Sequence, residues 1–175
     1  MTHVHLERLR AVRLERQRRF SDLDSLVRGS IGLHSINYAS PYLSSWARLE
    51  AFDAKAMFAR LNTGRGLVRL NCMRGTVHVV HTDDLPLVVA ATGAAVASSG
   101  RRMPELKDLS EVELRRGIEA IQTALASGPL GTNELKAALP SQSGAMRYWL
   151  LAAMGEGEVI RADATHARNN RRTVS

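Results

Sequence analysis

Residues 66–85 read "GLVRLNCMRGTVHVVHTDDL", and their period decides the fold. Within "LVRLNC", Val68, Leu70 and Cys72 alternate with Arg69 and Asn71. "TVHVV" alternates again after "MRG". A period of two marks half-buried strands, and a Gly-containing turn between two such runs marks a β-hairpin. On this reading Val68, Leu70 and Cys72 face inward, while Arg69, Asn71, Thr76 and His78 face outward. Arg74 sits at the tip. Ser or Thr before acidic residues opens a helix, so Thr82 is expected to cap one through Asp83 and Asp84.

Before the hairpin the period is helical. Leu6, Leu9 and Val12 form a narrow stripe over residues 5–19. Ser21 is the expected cap of a second helix with Leu23, Leu26 and Val27 on its apolar face, ended by Gly29 or Gly32. In "SPYLSSWARLEAF", Ser40 caps a third helix and Pro41 occupies its first turn, where the missing N–H costs nothing. Tyr42, Leu43, Trp46 and Leu49 are its expected inward face. Asp53 caps a fourth, with Met57, Phe58 and Leu61, and "NTGRG" breaks the chain.

After the hairpin, "TGAAVASSGRRMP" has small residues without period and reads as a linker. "SEVE" then forms a capping box, Ser110 with Glu113. Leu114, Ile118, Ile121 and Leu125 mark one helix face. Thr132 caps "NELKAAL", and Pro140 stops it. Residues 143–154 place Met146, Trp149, Leu150 and Ala153 inward, with Arg147 and Tyr148 off that stripe. "EVIRA" reads as a strand and "THARNNRRTVS" as the return of a basic hairpin.

Both halves therefore read as helices followed by a hairpin. The expected fold is mainly α with small antiparallel β-hairpins, in tandem winged-helix (helix-turn-helix) domains. The divisions are 1–97, a linker at 98–109, and 110–175. Such units place their last helix in the major groove, and basic wing residues reach the phosphates.

The charge agrees. The net charge is +7 and the pI is near 10.5, which favours a polyanion, nucleic acid before an anionic membrane. Arginines cluster over residues 8–19 and again at Arg168, Arg171 and Arg172. Candidate DNA contacts are Arg65, Arg69, Arg74, Thr76, His78, Arg147, Arg168, Arg171 and Arg172. An ordinary solvated surface is the competing reading of each cluster. Apolar residues make up 45% of the chain, enough for a core. The single cysteine, Cys72, excludes an internal disulfide and a Cys-rich zinc site and reads as a small core residue. His3 and His5 lack a third ligand, and His78 and His81 fall on opposite strand faces. No metal site is expected. No run approaches a transmembrane helix and no apolar signal core opens the chain. The expectation is a soluble cytoplasmic, nucleoid-associated protein with double-stranded DNA as partner, no cofactor and no membrane.

Three stretches carry a family resemblance: "VRGSIGLHSINYASPYLSSWARL", "GRGLVRLNCMRGTVHVVHTDDLPLVVAAT" and "AIQTALASGPLGTNELKAAL". Together they resemble the winged-helix DNA glycosylases that repair interstrand crosslinks and bulky alkylpurines, the AlkZ/YcaQ-like family. The resemblance covers most of residues 5–155 and implies tandem winged helices and N-glycosidic bond hydrolysis. Relatives of about twice this length imply that this chain corresponds to their N-terminal portion. The family signature, Gln-x-Gln or Gln-x-Asp, follows a Gly-Leu pair. Here Gly32 and Leu33 are followed by His34 in the first position and Ile36 in the second.

An N7-alkylated purine leaves already carrying positive charge, so no general acid is needed. The protein must stabilise an oxocarbenium-like sugar and orient a water. Neutral histidine can accept a proton from water near pH 7, and isoleucine cannot. Three readings follow: a glycosylase using His34, a DNA-binding relative that has lost catalysis, or a protein-interaction module.

Overall fold

The computed structural model describes residues 7–8, 12, 14, 18–63, 66–100, 110–139 and 145–161. Most of the helix expected over residues 5–19 lies outside these, as do Arg65, Pro140, Arg168, Arg171, Arg172, the "THARNNRRTVS" hairpin and most of the 98–109 linker.

The fold is mainly helical, with one small three-stranded antiparallel sheet. α1 spans Leu23–Gly29. Its cap is Asp22, not Ser21: the Asp22 carboxylate accepts the Ser25 N–H at 2.8 Å, while Ser21 Oγ donates to Asp22. A carboxylate both satisfies an orphan N–H and suits the positive helix end. At the other end, Ile31 (φ 54°) and Gly32 (φ 98°) turn the chain sharply. A side chain at Gly32 would press within 3.0 Å of the Val79 carbonyl oxygen, so glycine is needed there.

That turn delivers β1 (Leu33–His34), a strand too short to show a period in sequence. α2 spans Ser40–Arg48, with Pro41 in its first turn as expected. Ser40 is its first residue rather than its cap, since Ala39 precedes it without a side-chain bond. Of the expected inward face, Leu49 is buried and Tyr42 packs on the core, but Leu43 and Trp46 are corrected. Pro41, Ser45 and Leu49 are buried, one helical turn apart, whereas Leu43 and Trp46 are 62% and 67% exposed. The smaller residues allow close approach to β1, and the larger ones stay outside. α3 spans Ala54–Thr63, and Asp53 caps it by accepting from Lys55 and Ala56 N–H.

β2 (Leu67–Asn71) and β3 (Val77–His81) form the expected hairpin, and β1 pairs with the free side of β3. The register sets Leu70 opposite His78, Asn71 opposite Val77 and Cys72 beside Thr76. His78 therefore shares a face with Val68, Leu70 and Cys72, and Arg69 and Asn71 lie on the other. The outward row of Arg69, Asn71, Thr76 and His78 does not exist as a row: register parity splits it. Both faces are covered. Leu33, Leu67 and Val79 join Phe20, Leu26, Val27, Leu49 and Met57. Val68, Leu70, Cys72 and Val80 join Val88.

α4 spans Leu85–Gly100 after a 3₁₀ turn at Thr82–Asp84. Its lead-in is capped by His81, whose Nδ1 accepts the Asp83 N–H, and not by Thr82. The linker reading of "TGAAVASSG" is thus replaced by helix. This helix buries Val88, Gly93 and Val96, but its exposed side, Leu87, Ala90, Ala91, Ala94 and Ala95, is apolar as well, so it shows no amphipathic period.

α5 (Glu111–Leu125) carries the expected Ser110–Glu113 capping box. α6 spans Thr132–Ala138 with Gly131, not Thr132, at its cap position, and α7 spans Met146–Gly155. Leu114, Ile118, Ile121, Leu135, Met146, Trp149 and Ala153 build their common core. Tyr148, expected off the stripe, is buried in it as well. Of "EVIRA", residues 158–160 form no strand, and the rest of the expected second hairpin lies outside the described residues. Arg161 reaches the sheet, its N–H donating to the Arg69 carbonyl at 3.1 Å in an isolated antiparallel bridge.

From α1 to β3 the order is helix, strand, helix, helix, strand, turn, strand, with the first strand beside the last. That order is compatible with a winged helix. Among the described residues no helix is long and apolar enough to cross a membrane.

Candidate functional site

The motif-like segment runs along the edge of the sheet. His34 is exposed, Ser35 is 1% exposed and Ile36 is 57% exposed. Successive side chains of extended backbone alternate, so His34 and Ile36 both look toward solvent and Ser35 points inward. The segment is held from two sides. Ser35 N–H donates to the Val77 carbonyl at 2.7 Å. Arg69 Nη2 donates to the Ser35 carbonyl at 2.8 Å.

Across the ladder, His34 faces His78, with ring centroids 5.3 Å apart and planes at 80°. His78 is 9% exposed. Its Nδ1 lies 3.2 Å from the Thr76 carbonyl oxygen, which can only accept, so Nδ1 carries the hydrogen. Burial disfavours the imidazolium and holds the His78 pKa below the usual histidine value; the Thr76 bond opposes this and a charge on His34 adds to it.

On the other face of the sheet, with Arg69, lies a second polar group. Asn71 Nδ2 donates to the Gly75 carbonyl, and Arg161 Nε donates to Asn71 Oδ1 at 2.8 Å. Desolvation beside the sheet lowers the Arg161 pKa, and the neighbouring Arg69 charge lowers it further. Arg161 thus ties the chain after α7 to the hairpin.

The expected DNA contacts separate accordingly. Arg74 is exposed at the hairpin tip and Arg147 is exposed on α7. Thr76 is half-buried, with its hydroxyl donating to the Met73 carbonyl inside the turn. Arg69 is half-buried under Ser35, and His78 backs His34. Other cations are committed to carboxylates: Arg28 to Asp83 and Asp84, Arg60 to Asp24, and Arg115 to Glu156 and Glu158. Arg161 and the partnership of His78 with His34 carried no linear signal, because both arise from contacts across the sheet.

The remaining chemistry is limited. Cys72 is fully buried, and burial pushes its thiol up, away from a nucleophilic thiolate. Among the described residues no three His, Cys, Asp or Glu side chains gather into a metal-binding group. On α3, exposed Ala54, Lys55, Ala56 and Ala59 offer one cation and small apolar contacts.

The family model described as "DNA glycosylase AlkZ-like" matches residues 27–173. No curated protein and no solved structure matches the chain.

Proposed function

This chain belongs to the AlkZ-like DNA glycosylase family, and from that premise we propose that it binds duplex DNA as a winged-helix protein and hydrolyses the N-glycosidic bond of bulky N7-alkylated or crosslinked purines. The observation that carries the reading is His34: an exposed imidazole at the first motif position, on a segment pinned by Val77 and Arg69. In this reading His34 accepts a proton from the attacking water while the positively charged purine departs unaided. The glycosidic carbon is left electron-poor, and a ring that is neutral before the proton moves adds no positive charge beside it.

Binding is assigned mainly to phosphate contacts by Arg74 and Arg147, with the open face of α3 against the groove. That face is mostly alanine, which favours recognition by backbone and shape over base reading. The test is release of N7-alkylpurine from alkylated duplex by the protein and by His34→Ala. The reading requires release by the former and none by the latter. Release by neither, or equally by both, sinks it.

A second reading rests on Ile36, an exposed apolar residue where the family places a polar group. It assigns duplex binding without base release, for lesion protection or gene regulation. Activity gained in Ile36→Gln over an inactive parent would favour it.

A further inference from the structure

We propose that His78 is a positioning residue for His34, setting the orientation in which that ring meets water through the edge-to-face contact between the two imidazoles. The proposal rests on the assignment of His34 above. Three observations carry it. The two residues are direct cross-strand partners, so their Cβ atoms are held by the ladder and not by loop geometry. The rings meet at 5.3 Å and 80°, inside the range in which the positive edge of one ring attracts the face of another. His78 is itself immobilised: it is buried on the central strand, and its Nδ1–H is bonded to the Thr76 carbonyl.

An exposed histidine on a two-residue edge strand would otherwise sample several rotamers. A fixed ring beside it removes that freedom before substrate arrives, which is how a supporting side chain lowers a barrier without touching the reacting atoms. The neighbours of His78 are apolar or neutral apart from His34. On its face of the sheet it is flanked by Leu70 on β2 and His34 on β1, with the buried neutral thiol of Cys72 beyond Leu70. Val88 of α4 is the buried contribution from above that face. None of these brings a negative charge to His78, so nothing on this face offsets the burial that disfavours its imidazolium.

The test compares His78→Phe, which keeps a ring of similar size, with His78→Ala, which removes it. The first readout is the imidazole NMR spectrum of His34, which needs no activity. Its ring protons are expected to be displaced by the neighbouring ring in the parent and in His78→Phe, and to return to exposed-histidine positions in His78→Ala. The second readout is base release from alkylated duplex, expected to fall by up to about 100-fold in His78→Ala at unchanged DNA affinity and to be rescued in His78→Phe. His34 resonances indifferent to His78→Ala in a folded protein overturn the proposal. So does a loss of release that His78→Phe fails to rescue. A parent that releases no base but shows the displaced His34 signals overturns the catalytic reading alone and leaves the ring contact established.

Discussion

Gly93 of α4 and Gly155 of α7 meet backbone to backbone. A Cβ on Gly93 would overlap the Gly155 carbonyl, and one on Gly155 would crowd the Gly93 carbonyl and Ala97. This contact, with Trp149 lying over Gly117 of α5, lets the helices on either side of residues 101–109 share one packed seam.

Gly93→Ala should accordingly destabilise the fold despite alanine's better helix propensity. Propensity favours the change by about 1 kcal/mol. Overpacking against main chain costs about 1–3 kcal/mol and cannot be relieved by a rotamer change. A net fall in Tm is expected. Gly93→Ala at or above the parent Tm would mean that α4 and α7 do not approach this closely.

His78 gives the fold an acid-sensitive element. Its pKa is lowered in the folded protein, so the unfolded chain binds its proton more readily. Stability from this group is therefore complete above the unfolded value of about 6.5 and is lost as pH falls from there toward the folded value. Urea unfolding should show a decline in stability below about pH 6.5 that is reduced in His78→Phe. An unchanged pH profile in that variant would contradict the burial of His78.

Arg74 and Arg69 should behave oppositely. Arg74 is exposed with φ 56°, so Arg74→Gly relieves left-handed backbone while adding unfolded-state entropy. The two roughly cancel, and stability within about 0.5 kcal/mol of the parent is expected. If the tip meets a phosphate, the salt slope of duplex binding should fall by about 1. Arg69 holds the Ser35 carbonyl from a half-buried position. Arg69→Ala should cost about 1.5–3 kcal/mol, read as a lower urea midpoint.

The capping box before α5 is locally removable. Ser110 accepts the Glu113 N–H and donates to the Glu113 carboxylate, which also accepts the Ser110 N–H. Ser110→Ala should cost about 1 kcal/mol. These bonds hold the Glu113 carboxyl below its usual range, the Ser110 hydroxyl first, so their contribution is present above the ordinary glutamate pKa and fades in acid. Circular dichroism melts at neutral and acid pH should show the Ser110→Ala difference shrinking in acid.

Local chemistry was legible in the residues themselves. The period of two in "LVRLNC" and "TVHVV", the Asp53 cap, the Ser110–Glu113 box and the stripe Leu114, Ile118, Ile121 each depend on neighbours a few positions away, and the structure keeps them. Tertiary structure alone decided the rest. Strand parity, set by the turn at Met73–Gly75, moved His78 to the face of Leu70 and away from Arg69. Rotation of α2 put Trp46 outside and Ser45 inside. Apolar and small residues on the exposed side of α4, Leu87, Ala90, Ala91, Ala94 and Ala95, erased its amphipathic signal, so a helix read as a linker. At the candidate site, His34 could be singled out from its place after Gly32 and Leu33. That it stands against a buried His78 could not, because a ladder joins residues far apart in the chain, and no local spacing encodes which strand comes to lie beside which.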